Sequence, residues 1–217
     1  MNKEIILGKV DHTFLKPFAT YEDIKTLCEE AIQYHTASVC IPPCFVKEVY
    51  DNFGDKIAIC TVIGFPLGYS TIETKKHEAA EALKNGASEI DMVINIGQAK
   101  EHDFEKVTAE IKDIKNIVGP DRILKVIVET CYLTDEEKIC LCKCVTDAGA
   151  DYIKTSTGFG TGGATFEDVR LLKANVGPQV KVKAAGGMRT VDDIINFSEL
   201  GADRLGTSLA ISLLKGL

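Results

Sequence analysis

The chain has 217 residues, 45% hydrophobic and 26% charged, with 18 Gly and 6 Pro, which fits one folded unit with a sizeable core and excludes a disordered chain. With 25 Lys+Arg against 32 Asp+Glu the formal charge is -7, which argues against a protein built to hold a nucleic-acid backbone. Met1-Asn2-Lys3-Glu4 opens no apolar leader, and the longest uncharged run, Ile57 to Ile72, is broken by Gly64, Pro66 and Gly68 and is too short to span a membrane.

Short β-branched runs alternate with amphipathic stretches from end to end. In chain order the spacing predicts strands at Gly8–Thr13, Ser38–Ile41, Lys56–Ile63, Glu89–Ile94, Ile123–Glu129, Tyr152–Thr155, Val180–Ala184 and Arg204–Gly206. Between them it predicts helices near Tyr21–Tyr34, Pro43–Asn52, Ile72–Asn85, Phe104–Val118, Asp135–Ala148, Phe166–Asn175 and Val191–Leu200, with a last one from Leu209. Thr20, Thr134, Thr165 and Thr190 stand where N-caps belong. Asn85-Gly86-Ala87, Ala148-Gly149-Ala150 and Leu200-Gly201-Ala202 repeat one helix stop, with Gly as the left-handed residue before the next strand. Eight strands, each followed by a helix and apolar enough to be covered on both faces, describe a single-domain (β/α)8 TIM barrel over residues 1–217, with an open doubly wound sheet as the rival.

Charged residues that interrupt the strands carry the chemistry, because a charge inside a barrel is costly unless it is paired or used. Asp91, Lys125, Lys154 and Lys183 interrupt theirs, and the three lysines are spaced 29 residues apart, which predicts comparable positions on strands 5, 6 and 7. Lys181, nearer its strand start, reads as a residue that snorkels to water. An amine attacks a carbonyl only when neutral, and burial together with a second ammonium favours that form. Lys154 and Lys183 suit those two parts, while Asp91 supplies a carboxylate for proton transfer.

The run Thr155-Ser156-Thr157-Gly158-Phe159-Gly160-Thr161-Gly162-Gly163 contains a G-x-G-x-x-G pattern, but the next strand ends in Lys183-Ala184-Ala185 without the acidic residue that a dinucleotide ribose needs. Glycines at 158, 186 and 187 and the Gly206-Thr207-Ser208 turn fit a small phosphate held by backbone amides in the loops after the last strands.

Taken together these residues resemble the class I deoxyribose-phosphate aldolase family across essentially the whole chain. The match runs through Asp11-His12-Thr13, Val39-Cys40-Ile41-Pro42-Pro43, Gly64-Phe65-Pro66-Leu67-Gly68, Glu89-Ile90-Asp91-Met92, Leu124-Lys125-Val126, Lys154-Thr155-Ser156-Thr157-Gly158 and Lys183-Ala184-Ala185-Gly186-Gly187. The resemblance implies a (β/α)8 barrel that joins acetaldehyde to glyceraldehyde 3-phosphate through a lysine Schiff base. Lys154 would be the Schiff-base lysine, Asp91 the proton-transfer group and Lys183 the lysine that perturbs Lys154. Gly158, Gly186, Gly187, Thr207 and Ser208 would hold the phosphate, while Asp11, Cys40, Lys125 and Thr157 would bind the rest of the substrate. Some family members use a terminal Tyr in proton transfer, and this sequence ends Leu214-Lys215-Gly216-Leu217 instead.

Other patterns point elsewhere less well. Cys140-Leu141-Cys142-Lys143-Cys144 resembles a metal tract, yet residues two apart lie about 200° apart on a helix, so Cys142 should face away from a core-facing pair. His12, His35, His77 and His102 form no zinc pattern. A thiol nucleophile at Cys40 would need an orienting partner, and none is visible. No metal and no cofactor are expected; the partner is a phosphorylated sugar, with no nucleic acid or membrane, in a chain compatible with a homodimer. The eight Cys sit in apolar runs such as Val39-Cys40-Ile41 and suit a reducing, cytoplasmic setting. A Schiff-base aldolase of another phosphosugar specificity, or a phosphate-binding barrel without catalysis, are the alternatives; the second gives no reason to bury Lys154 and Lys183.

Overall fold

The structure is a computed structural model that describes residues 3–215; Met1 and Asn2, and Gly216 and Leu217 of the terminal run discussed above, lie outside the described residues. Eight parallel strands close in sequence order: β1 (Val10–Thr13), β2 (Ser38–Ile41), β3 (Ile59–Ile63), β4 (Glu89–Val93), β5 (Ile123–Ile127), β6 (Tyr152–Lys154), β7 (Lys181–Ala185) and β8 (Arg204–Thr207), with β8 pairing back onto β1. The expected barrel is present and the open sheet is excluded.

Helices surround the strands: α1 (Lys3–Leu7), α2 (Tyr21–Gln33), α3 (Val46–Phe53), α4 (Ile72–Lys84), α5 (Ile96–Lys100), α6 (Phe104–Val118), α7 (Asp135–Asp147), α8 (Phe166–Asn175), α9 (Val191–Glu199) and α10 (Ala210–Leu214). No helix among the described residues is long and apolar enough to cross a membrane. Thr20, Thr134, Thr165 and Thr190 each accept the N3 backbone N–H of their helix, as expected, and Thr20, Thr134 and Thr190 complete capping boxes with Asp23, Glu137 and Asp193.

The repeated helix stop is also built as expected. Gly86, Gly149 and Gly201 have φ of 109°, 73° and 101°, and the alanine after each donates to the carbonyl five residues back. A fourth copy was hidden in the sequence, because His35 at φ 52° takes the glycine's place and Thr36 donates to Ala31. Several elements fall short of their predicted bounds, β3 and α3 most at their starts. Gly54–Lys56 forms a 3-10 turn that delays β3, and Pro43–Phe45 forms another before α3. The five-residue helices α1 and α5 were not predicted, being too short to show a helical period.

Outward-facing strand residues such as Val39, Ile90, Leu124, Ile153 and Val182 are fully buried under the helices and make the main apolar core. The inward face is different: directly paired residues share a face, so Asp11, Cys40, Cys60, Asp91, Lys125, Lys154 and Lys183 all point into the barrel. On α7, Cys142 is the most buried of the three cysteines and lies 3.9 Å from the Leu172 carbonyl of α8, while Cys144 lies 3.6 Å from the Phe104 carbonyl of α6 and Cys140 is half-exposed. The core-facing pair is therefore Cys142 and Cys144, because α7 is gripped from both sides.

Candidate active site

Lys154 ends β6, and its register partner on β7 is Lys183, so the two ammonium-bearing chains rise side by side. The equal spacing predicted Lys125 on the same rung; instead β5 offers Ile127 to Lys154, and Lys125 pairs with Tyr152 one rung deeper. The stagger of a closed barrel displaces the rung along the chain. Opposite them Asp91 rises from the middle of β4.

Lys154 Nζ and Lys183 Nζ each lie 2.7 Å from the same oxygen of Asp91, Oδ2. Lys183 also reaches Asp11 Oδ2 at 2.6 Å. Lys125 holds the other Asp91 oxygen at 2.9 Å and reaches Glu89 at 2.6 Å. Arg204, from β8, closes the lower end by pairing with Asp11 and, at 3.0 Å, with Glu89. Gly206 leaves the space this needs, since a Cβ there would stand 3.0 Å from Lys183 Cε.

Burial acts to raise the Asp91 carboxyl, but Lys125, Lys154 and Lys183 outweigh it and hold it well below the usual carboxylate range. Asp11 is held down in the same way by Lys125, Lys183 and Arg204. Burial acts to lower Lys183, and Asp11 and Asp91 reverse that, keeping it a firm cation above the ordinary lysine range. Asp11, Glu89 and Asp91 therefore balance Lys125, Lys183 and Arg204 one for one. Lys154 is the cation left over. Glu129, whose field also reaches Lys154, turns its oxygens to Thr157 instead.

Lys154 is also the member of this network that meets the cavity at the carboxyl ends of the strands. This cavity, of about 300 Å³, is lined by Lys154, Thr157, Gly158, Gly186, Gly187, Thr207 and Ser208. Asp91, Lys183, Asp11, Lys125 and Cys40 do not line it; they are fully buried beneath it. Of the four residues assigned to the non-phosphate part of the substrate, only Thr157 faces the cavity. Asp11 and Lys125 belong to the ion network, and Cys40 packs with Cys60 and Val62 behind Asp91.

The glycine loops form one wall. A Cβ on Gly163 would stand 2.5 Å from Gly187 N, so the loops after β6 and β7 meet backbone to backbone. Gly186 and Gly187 at φ 72° and 78° turn the second loop around that contact. Two exposed cations, Lys16 and Arg189, also line the cavity. Sequence reasoning missed Lys16, since an exposed loop lysine carries no pattern. It also missed Glu89 and Arg204; Glu89 stands two before Asp91, and that alternation was the available signal.

Cys40, Cys60 and Asp91 bring one candidate ligand atom each within 4.8 Å of one another. Lys125 Nζ already donates to Cys60 Sγ at 3.2 Å and to Asp91 Oδ1 at 2.9 Å, occupying the lone pairs a cation would use. The donor set suits buried ammonium groups better than a metal.

Residues 5–213 match the family model described as DeoC/LacD family aldolase. The chain is 61% identical to the deoxyribose-phosphate aldolase of Clostridium botulinum over 216 residues, covering 100% of this chain and 97% of that one. It is 56% identical to the deoxyribose-phosphate aldolase of Clostridioides difficile over 210 residues, covering 97% and 95%. A solved structure described as a unique tetrameric deoxyribose phosphate aldolase from Aeropyrum pernix superposes with a TM-score of 0.89 at 33% identity, covering 99% of this chain and 92% of that one. The chain belongs to the DeoC/LacD family of aldolases.

Proposed function

We propose that this chain is a class I aldolase that cleaves 2-deoxy-D-ribose 5-phosphate reversibly to D-glyceraldehyde 3-phosphate and acetaldehyde through a Schiff base on Lys154. One observation carries the reading: in a buried network that is otherwise charge-balanced, Lys154 is the surplus cation and the member that meets the cavity. It is the amine of the network that a substrate carbonyl in the cavity can reach.

The neutral Lys154 amine attacks the C1 aldehyde of the open-chain sugar, and loss of water gives an iminium. Removal of the C3 hydroxyl proton breaks the C2–C3 bond, and the bonding electrons pass to the iminium as an enamine. Glyceraldehyde 3-phosphate departs. Protonation at C2 and hydrolysis then release acetaldehyde and restore the amine. Asp91, 2.7 Å from Lys154 Nζ, is placed to pass the protons, with Lys183 on the same oxygen as their return path.

The iminium is the electron sink, so the reaction needs no metal. Cleavage of 2-deoxyribose 5-phosphate should be unchanged after exhaustive treatment with a strong chelator. Activity that disappears and is restored by zinc would assign the chain to a metal-dependent mechanism. The eight cysteines, all free thiols, support a cytoplasmic setting.

We assign the phosphate to the wall formed by Gly158, Gly186, Gly187, Thr207 and Ser208, with Lys16 and Arg189 beside it. Ser208→Asp sets a carboxylate against the phosphate, and KM for the phosphorylated sugar should rise at least about tenfold relative to that for free 2-deoxyribose. An equal effect on both sugars would put the phosphate elsewhere.

A further inference from the structure

Glu129 stands outside the ion network yet is buried next to it, in the first turn after β5. Its backbone lies in the left-handed region, at φ 57° and ψ 67°, a conformation that is costly for a residue with a side chain. Its side chain has no lysine or arginine partner among the described ion pairs. Both oxygens instead accept from Thr157: the backbone N–H at 3.1 and 3.3 Å, and the hydroxyl through a short bond to Oε2. The loop closes over this carboxylate at Gly160, where a Cβ would stand 3.1 Å from Glu129 Cδ. Holding the loop in place would need only an amide. The charge calls for another reason.

That reason lies in the Thr157 hydroxyl, which has one proton and two lone pairs. The proton goes to Glu129, and Phe159 N donates to one lone pair at 3.0 Å. One lone pair remains on a residue that lines the same cavity as Lys154 and Gly158. A carboxylate has no proton to offer back, so the hydroxyl cannot turn around and donate elsewhere.

We infer that Glu129 is a positioning residue that fixes Thr157 as a hydrogen-bond acceptor and so selects acceptor aldehydes bearing a hydroxyl next to the carbonyl. This rests on the aldolase reading above. With the imine at Lys154 and the phosphate at the glycine wall, the hydroxyl that Thr157 meets is the one that stays on glyceraldehyde phosphate, adjacent to its aldehyde. The hydroxyl formed from the aldehyde itself is the one exchanging its proton on the Asp91 side.

The test compares acceptors in the condensation with acetaldehyde, using D-glyceraldehyde and propanal, which lacks the hydroxyl, together with D- and L-glyceraldehyde 3-phosphate. Glu129→Gln keeps the shape but lets the hydroxyl and amide exchange roles. It should lower kcat/KM for D-glyceraldehyde by at least about tenfold more than that for propanal, and erode the D over L preference. Trapping of acetaldehyde on Lys154 is followed alongside, so that any effect of losing the Glu129 charge on that amine, which both acceptors share, is read separately. Equal losses for both acceptors would make Glu129 merely structural, and no loss for either would make it idle; each overturns the inference. Should Glu129→Gln fail to fold, Thr157→Val removes the same acceptor, and a hydroxyl preference that survives it overturns the inference as well. A wild-type protein that cannot condense acetaldehyde with glyceraldehyde 3-phosphate would instead refute the aldolase reading itself.

Discussion

Lys183→Leu is expected to slow formation of the Lys154 adduct at least about tenfold near neutral pH, with part of the loss recovered in alkaline buffer. Lys183 and Lys154 share Asp91 Oδ2 at 2.7 Å, so in the wild type the carboxylate is already satisfied by a firm cation. Without Lys183, Asp91 Oδ2 keeps Lys154 as its lysine partner and holds it in the ammonium form. The nucleophile is then the minor species until the pH rises. Asp11 also loses its 2.6 Å partner, and breaking so buried a pair should cost roughly 3–5 kcal/mol of stability. The readout that separates the two effects is the pH profile of adduct formation in folded protein. A variant that traps acetaldehyde at wild-type speed with an unshifted profile would confine Lys183 to the later proton transfers.

Asp91→Asn should be more damaging still. It replaces the carboxylate that faces Lys125, Lys154 and Lys183 with a neutral amide, leaving three ammonium groups around an uncharged centre. Turnover should fall by about 10²–10⁴, the usual contribution of a positioned acid–base group. Stability should fall as well, and its pH dependence has a definite sign. In the wild type the lowered Asp91 contributes stability that is complete above the ordinary carboxylate range and is lost only as the pH falls through its depressed folded value. In the variant, mutual repulsion lowers the lysines on folding, so the unfolded chain binds more protons and stability rises with pH through the neutral and alkaline range. Denaturant titrations at several pH values check this. A variant whose stability is flat across that range would show that the lysines do not depend on Asp91 for their charge.

Local rules made most of the barrel legible in advance. Each β-branched run became a strand because its outward residues fit the helices, and the threonine caps and glycine stops did what their chemistry requires. Where glycine was replaced by His35 the same stop went unseen. Lys154, Lys183 and Asp91 stood out because charge in an apolar strand is conspicuous. Lys125 stood out too, but its rung depends on the barrel's stagger, which spacing along one chain does not encode. Glu89 and Arg204 lie at strand starts, where a charge normally faces water, so only the alternation of Glu89 with Asp91 pointed to the lower half of the network. Lys75 was hidden more completely. It looks like a surface residue of α4, yet it is fully buried against Glu110 at 2.6 Å and the Val93 carbonyl at 2.8 Å, a partnership 35 residues apart in the chain. Glu129 escaped notice because its significance lies in a left-handed backbone and in whose hydroxyl it holds.

The central claim is that Lys154 is the amine that becomes covalent, and reductive trapping reads it directly. The protein is incubated with acetaldehyde, reduced with borohydride, digested, and its peptides are mapped by mass. One ethyl group on the peptide carrying Lys154, at one per chain and with the Lys125 and Lys183 peptides unmodified, is the predicted result. An adduct that maps instead to Lys125 or Lys183, or no adduct from a protein that still cleaves its substrate, would contradict it.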